Sequence, residues 1–597
     1  VTREMLQRAR RYRNFPGVPR LELGFAEDFF ARVVRRARRA PDMPVWSNEL
    51  YVETHRAVTT TQGILKKYNR YAEILLRNTE LLASLAMVAA GARYPAAALR
   101  TAWEGVIKGQ FHDGVTGTHT AKAFTDVVNF YQSAIGIAER EQRIAADALI
   151  RKVDTRGEGS PMMLFNTLTW ERRDPVRIPW DGTPVRIVDA DGRECVQQTV
   201  VRGTERALYV QGTGIPSVGY AVYRVIPGKP APAPKTLSVS TGLLENAHLR
   251  VKLDSDGHIV SLYDKANRRE CIEPGRLGNE FQLFEDISGY YEAWDLHNTN
   301  LVKRWDVRKA EAVRVVESGS LRVAVEITRK IHHSRLIQRI VLWKDSPWVD
   351  FETTIDWRDE IHRILKVAFP LNITAFNCRY DIAFGNMDRP TTRSTTWEKT
   401  KFEVAGHKWA DLSDNGYGVA LINDCRYGYD CEKNVLRLSL VRAPKHPNPQ
   451  SDLYVHQLTY RLYPHAGDFR TGGTIRNAWE MNCPILAFPA AKHPGTLPAR
   501  HSFVTLHNDN VLLEALKKAE YSDDLVARFV EHWGRRDTLR ADLSFGLAGI
   551  REVNCIEEDI PRGARTSVNG IGIEDEIRAY DIKTYRCTPG PLRTRQA

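Results

Sequence analysis

Near Gly157 the hydrophobic pattern of this chain changes its period, and that change limits the fold more than any single motif. Before it, apolar residues recur at helical spacing. Ile64, Tyr68, Tyr71, Leu75, Leu82 and Leu85 mark one stripe. Leu99, Trp103, Val106 and Gln110 mark a second, opened by Pro95, a good first-turn residue. Phe124, Val127, Tyr131, Ile135 and Ala138 mark a third, over about residues 119–153. Such spacing places apolar side chains on one face of a helix. Three long periodic helices with short connections predict an antiparallel three-helix bundle. After Gly157, apolar and polar residues alternate, as in Leu249, Val251 and Leu253 or Val349, Phe351, Thr353 and Ile355. That is the pattern of half-buried strands, and Asp256-Gly257 is a hairpin signal between two of them.

A chain of 597 residues is too long for one core, so roughly three to five domains are expected. Residues 1–14 and 25–40 read as two further amphipathic helices ahead of the bundle. The Pro-rich run 227–235 reads as a linker between β regions. The chain thus divides into two helices over 1–45, a bundle over 46–155, a small β domain over 156–235, a large β-sandwich over 236–495 and a C-terminal β domain and tail over 496–597.

Composition excludes several classes. Hydrophobic content of 43% is that of a folded globular protein. The net charge of +12 is partly carried by arginines at 8–13 and 32–39, but no nucleic-acid recognition motif accompanies them. The longest apolar run, Leu81 to Ala92, is too short to span a bilayer. Eight cysteines without a CxxC pair, and no secretion signal, fit a reducing compartment and a cytoplasmic location. The chain opens on Val1 directly into a helical pattern, which reads as an excerpt, a fragment or an unusual start.

The residues with the clearest chemistry are Gln110-Phe111-His112-Asp113-Gly114-Val115-Thr116-Gly117-Thr118. A histidine–aspartate pair sits where one helix gives way to a Gly/Thr loop and another begins. Continued helically, His112 would lie roughly 200° from Gln110 and face away from the bundle core. Asp113 would orient the imidazole, as the neighbours of metal-bound histidines do, and Thr118 would cap the next helix. The same residues also suit a polar helix cap with no metal, because zinc needs three or four protein ligands.

QFHDGVTGT resembles the motif with which family 38 glycoside hydrolases, the zinc-dependent α-mannosidases, supply their last metal ligand. The resemblance extends along most of the chain. WSNELYVETHRAVTTTQ (46–62) and residues 67–86 are similar to the entry into the family's helical middle domain. GNEFQLFEDISGYYEAWDL (278–296), LKVAFPLNI (365–373), residues 389–430 and TYRLYPHAGDF (459–469) are similar to its β domains, most of all in the branch with cytosolic, vacuolar and many bacterial enzymes.

The resemblance implies a fold made of the end of an α/β barrel domain, a three-helix bundle and β-sandwich domains. It implies retaining, metal-dependent hydrolysis of terminal α-mannosyl residues from mannose-containing oligosaccharides. In the family an aspartate attacks the anomeric carbon, a second carboxylic acid protonates the leaving oxygen, and zinc binds sugar hydroxyls. Of the family's metal ligands only the histidine of the motif maps here, onto His112, with Asp113 beside it. The cofactor is therefore expected to be Zn2+ or another divalent metal at a site incomplete in this chain. The nucleophile and general acid are expected outside the chain, on a barrel preceding Val1, fused or separate, and the isolated chain is expected to be inactive. His507-Asn508-Asp509, the one His-x-Asp here, lies in a strand-like segment and is read as coincidence.

Two aromatic–polar clusters are further candidates for sugar contact: Tyr290, Tyr291, Trp294 and Asp295, and His407, Trp409 and Asp411. Strand-end aromatics also serve packing. A non-catalytic carbohydrate-binding or structural β-sandwich protein is the alternative, and a basic nucleic-acid-binding protein a weaker third reading. A homo-oligomer is allowed; no membrane partner is expected.

Overall fold

In a computed structural model of the chain, described over residues 1–47, 49–50, 55–298, 302–560 and 572–592, Val1–Val52 and Glu53–Ala597 are two separate units. The first unit holds helices α1 (Arg3–Tyr12) and α2 (Ala26–Ala37), each a little shorter than its periodicity suggests. Thr2 caps α1 by accepting the Met5 amide at 3.3 Å. Acidic residues in the first turns and arginines in the last suit the dipole of both helices.

The second unit begins with the predicted bundle: α3 (Gly63–Ala90), α4 (Ala96–Gly109) and α5 (Ala121–Ile150). Leu65, Leu76, Leu99, Val106, Tyr131 and Ala138 meet in its core. Burying each large apolar side chain there contributes about 1.5–3 kcal/mol. The expected stripe on α3 is incomplete. Tyr71 is exposed, its hydroxyl donating to Glu139 at 3.0 Å, whereas Leu65, Ala72 and Leu76 are buried. The reason is that α3 is covered on two sides, by α5 and by the β region, so one stripe does not describe it.

Two large sheets carry the middle of the chain. One contains, in spatial order, Arg304–Val307, Glu280–Glu285, Arg363–Pro370, Val435–Arg442, Gly428–Glu432 and Val404–Ala405. The other has nine strands and runs from Ala312–Ser318 through Val349–Asp356 and Val455–Ala466 to Gly385–Pro390. Phe369 of the first packs on Phe351 of the second at 5.7 Å, and Tyr460 stacks on Phe351 at 4.9 Å. Asn279, Gln338 and Tyr460 close a buried hydrogen-bond triangle of 2.6–2.7 Å between them. The hairpin expected at Asp256-Gly257 joins Leu249–Leu253 to Ile259–Asp264, with Gly257 at φ +78°.

A smaller sheet around Ser160–Asn166 and Gly219–Pro227 and two C-terminal sheets share a single core with the bundle's far end. Leu81, Leu149, Phe165, Tyr220, Phe529 and Tyr585 all belong to it. Among the described residues no helix is long and apolar enough to cross a membrane.

Candidate functional site

Helix α4 ends at Gly109, and the histidine–aspartate segment is a compact turn, not a continuing helix. Gln110, expected on the apolar stripe, is exposed at the C-cap; its amide donates to Asn69 at 2.9 Å and to Glu73 at 2.7 Å. The Gly114 amide donates to Phe111 O at 2.6 Å, and the Gly117 amide to Gly114 O at 2.9 Å. The Thr116 hydroxyl donates to His112 O at 2.7 Å. The Thr118 hydroxyl donates to Asp113 Oδ1 at 2.6 Å, so Thr118 ties the turn to itself and does not cap α5; Thr120 holds the N-cap position. Two glycines are required. A Cβ at Gly114 would lie 2.3 Å from Gly109 O, and Gly117, at φ +81°, would place one 2.6 Å from Thr61 O.

The turn holds His112 outward, its side chain 76% exposed. The Phe111 ring packs 4.2 Å from the imidazole, and Asp113 Oδ2 lies 3.3 Å from Nε2. Underneath, Lys66 is buried and its ammonium donates to Val115 O at 2.8 Å, Thr116 O at 3.1 Å and Thr61 O. All three ammonium protons are thereby used. Burial pulls the Lys66 pKa down to about 7, against Asp452, which pulls it up. Asp452 accepts the Gln62 and Gly63 amides at 2.6 and 2.7 Å, placing a carboxylate at the start of α3.

Segment 57–62 carries the turn on one side and the loop of Tyr290 to Asp295 on the other. The Ala57 amide donates to Trp294 O at 3.1 Å, and the Thr61 hydroxyl to Ala293 O at 3.1 Å. Arg442, buried, donates to Thr61 Oγ1 at 2.9 Å and to Asp295 O at 3.0 Å, and pairs with Asp286 at 2.7 Å. Tyr290 and Tyr291 are 83% and 69% exposed, with the Tyr291 ring edge-on to Trp294 at 6.0 Å. Their phenol rings are open to a ligand. Asp295 is not: it is buried and paired with Arg56 at 3.2 Å, so it fixes the loop. Within the motif 46–62, residues 48 and 51–54 lie outside the described residues.

The second aromatic cluster lies elsewhere and is divided. Trp409 is 1% exposed and stacks on Phe469 at 5.5 Å, so it packs the core and offers no face to a sugar. Asp411 is buried too. Burial alone would raise its carboxyl, but His465 at 2.8 Å holds it below the usual range. His407 lines a cleft of about 1110 Å³ between α3, α4 and the β region. Burial pulls its imidazole down to about 4, so it is neutral near pH 7. His507 and Asp509 turn to different partners, Asp542 at 2.8 Å and Arg476 at 2.6 Å, and form no joint site.

Among the described residues no three His, Cys, Asp or Glu side chains gather into a cation-binding group. His112 has one carboxylate beside it, and that one already accepts from Thr118. Zinc takes three or four protein ligands. The residues present therefore do not form a zinc site on their own; His112 can supply one ligand to a set completed from elsewhere. Sequence reasoning missed Lys66, Asp452 and Arg442, because a single lysine or arginine in a polar stretch carries no signal until the fold buries it.

Comparison with known proteins matches three segments of the chain. A model described as "Alpha mannosidase middle domain" matches residues 53–149. Models described as "Glycosyl hydrolases family 38 C-terminal domain" and "Glycosyl hydrolases family 38 C-terminal beta sandwich domain" match 244–450 and 510–585. The mouse protein named alpha-mannosidase 2C1 is 35% identical over 87% of this chain and 48% of its own length. Its human counterpart is 34% identical over 95% and 52%, and the alpha-mannosidase of Saccharomyces cerevisiae is 28% identical over 98% and 53%. The chain thus spans about half the length of these relatives. The crystal structure of an alpha-mannosidase from Enterococcus faecalis V583 superposes with a TM-score of 0.80 at 18% identity, covering 98% of this chain and 74% of that one.

Proposed function

This chain belongs to glycosyl hydrolase family 38, represented by its middle domain and its two C-terminal domains, and on that premise we propose that it is the part of an α-mannosidase that completes the catalytic site without containing it. The reaction is retaining hydrolysis of terminal α-D-mannosyl residues from glycans. The nucleophile and general acid come from a barrel segment, fused or separate. His112 adds one metal ligand to those of the barrel, Asp113 orients it, and the exposed Tyr290 and Tyr291 offer ring faces to the sugar. The metal is zinc or another divalent cation, which supplies charge stabilisation when bound. A cytoplasmic location belongs to the same reading.

The observation that supports this reading best is the contrast at His112. Its side chain is exposed, yet the loop beneath it is fixed by a buried ammonium, two obligatory glycines and two hydroxyl hydrogen bonds. A polar cap without further duty has no need of such support. The test is the metal content of the chain joined to a family 38 barrel segment. The expected result is about one equivalent of zinc, with affinity falling by roughly ten- to a hundredfold or more in His112→Ala. Equal metal affinity in the two forms would remove His112 from the ligand set.

A further inference from the structure

The cleft beside the turn has a composition that selects a ligand class. On helix α4, Val106 is buried in the bundle, Leu99 and Trp103 pack in or on its core and also line the cleft, and Ala97 and Ile107 line the cleft. Helix α3 contributes Arg70, Glu73, Arg77 and Glu80, at the three- and four-residue spacing of one helix face. All four are engaged. Arg70 donates to Tyr427, Asn482 and His407, Arg77 donates to backbone carbonyls of the C-terminal strand Val511–Lys518, and Glu73 accepts from Gln110.

Glu80 accepts from the Trp103 indole, lies near Tyr94, and sits in the field of Lys517, Arg528 and Glu557. Burial raises its carboxyl to about 7, so near neutrality it both donates and accepts hydrogen bonds. The rest of the lining mixes signs too, with the charge of Lys408 acting on Glu514 and Lys517 paired with Glu557. An anion would meet the glutamates and a cation the lysines. A neutral polyol satisfies both, because each hydroxyl donates and accepts. Half-buried Trp103 and Tyr94 add the ring faces on which sugar C–H groups pack. The volume exceeds the usual range for a small ligand and suits several hexose units. Gln110 lines the cleft and is also the first residue of the His112 turn, so the cleft runs up to that turn.

We propose that this cleft is a second carbohydrate site, which holds a neutral oligosaccharide chain remote from the bond being cleaved. The choice of a mannose-containing glycan rests on the reading of the chain as part of an α-mannosidase; the class of ligand rests on the cleft itself.

The experiment is calorimetric titration of the chain with α-linked mannopentaose, using the wild type and three variants checked for unchanged melting temperature. Ala97→Trp fills the cleft from an exposed position on α4, Glu80→Leu removes the amphiprotic carboxyl, and His112→Ala leaves the cleft intact. The expected result is saturable binding that weakens at least tenfold in Ala97→Trp and in Glu80→Leu and is unchanged in His112→Ala. No saturable binding, or binding equal in wild type and Ala97→Trp, overturns the proposal. Loss in His112→Ala alone would place the sugar at the turn and overturn it too. Because binding is read on the chain without turnover, its outcome is independent of whether His112 ligates a metal.

Discussion

Glu80 shows how one residue changes character with its surroundings. In the sequence it is an ordinary helical glutamate. In the fold it faces an indole and a phenol, and its carboxyl holds its proton up to about 7 instead of the usual 4.5. The folded form binds that proton more tightly than the unfolded chain does. Its contribution to stability is therefore fully present below about 4.5 and is lost as pH rises to about 7. Glu80→Gln removes the titration. Its gain in melting temperature over the wild type should be absent at the acid end of that window and grow to a plateau at the neutral end; a gain independent of pH would contradict this assignment.

At the same scale His112 was legible, because a His–Asp pair before a Gly/Thr loop is a recognisable pattern. Asp295 and Trp409 were legible as polar and aromatic residues but not as buried ones. Exposure depends on Arg56 and Phe469, which are distant in sequence, and no local pattern reports such partners.

The turn is the element on which the functional reading depends. It has almost no apolar core of its own and is held by hydrogen bonds to neighbours. Lys66 is the largest of these anchors, with three carbonyls on one ammonium. Lys66→Met removes the donors and the positive charge that acts on Asp452. The expected cost is roughly 1–3 kcal/mol, since buried acceptors then go unsatisfied. Hydrogen exchange at residues 112–117 should speed up more than exchange in α5, and Lys66→Arg should restore part of the protection. Equal acceleration throughout the bundle would mean that Lys66 serves general stability and not the turn.

Helices and strands were readable to the extent that their surroundings were one-sided. Leu99 and Val106 of the α4 stripe, Val127, Tyr131 and Ala138 of the α5 stripe, and the alternating residues of the Val349–Asp356 strand are buried as predicted, whereas Gln110, at the end of α4, is exposed. α3 defeats that reading, because both the bundle and the β region cover it. The start of α5 at Ala121, and not at His119, follows from Thr118 being used within the turn.

For the whole molecule, the change of period near Gly157 indicates the order of helical and β regions. It does not reveal that the far end of the bundle, the small sheet and the C-terminal sheets share one core. That arrangement makes Glu53–Ala597 a single unit that presents the His112 turn and the Tyr290 loop from one buried support, segment 57–62. On the proposed function, this unit is a platform that contributes ligand and sugar contacts to a reaction whose acid and nucleophile lie on another segment. The direct test is hydrolysis of an aryl α-mannoside with zinc present, by this chain alone and by the chain fused to a family 38 barrel segment, each with and without His112→Ala. The expected result is no turnover by the chain alone and turnover by the fusion that falls by at least a hundredfold in His112→Ala. Robust turnover by the chain alone, or an equally active His112→Ala fusion, would contradict the platform role.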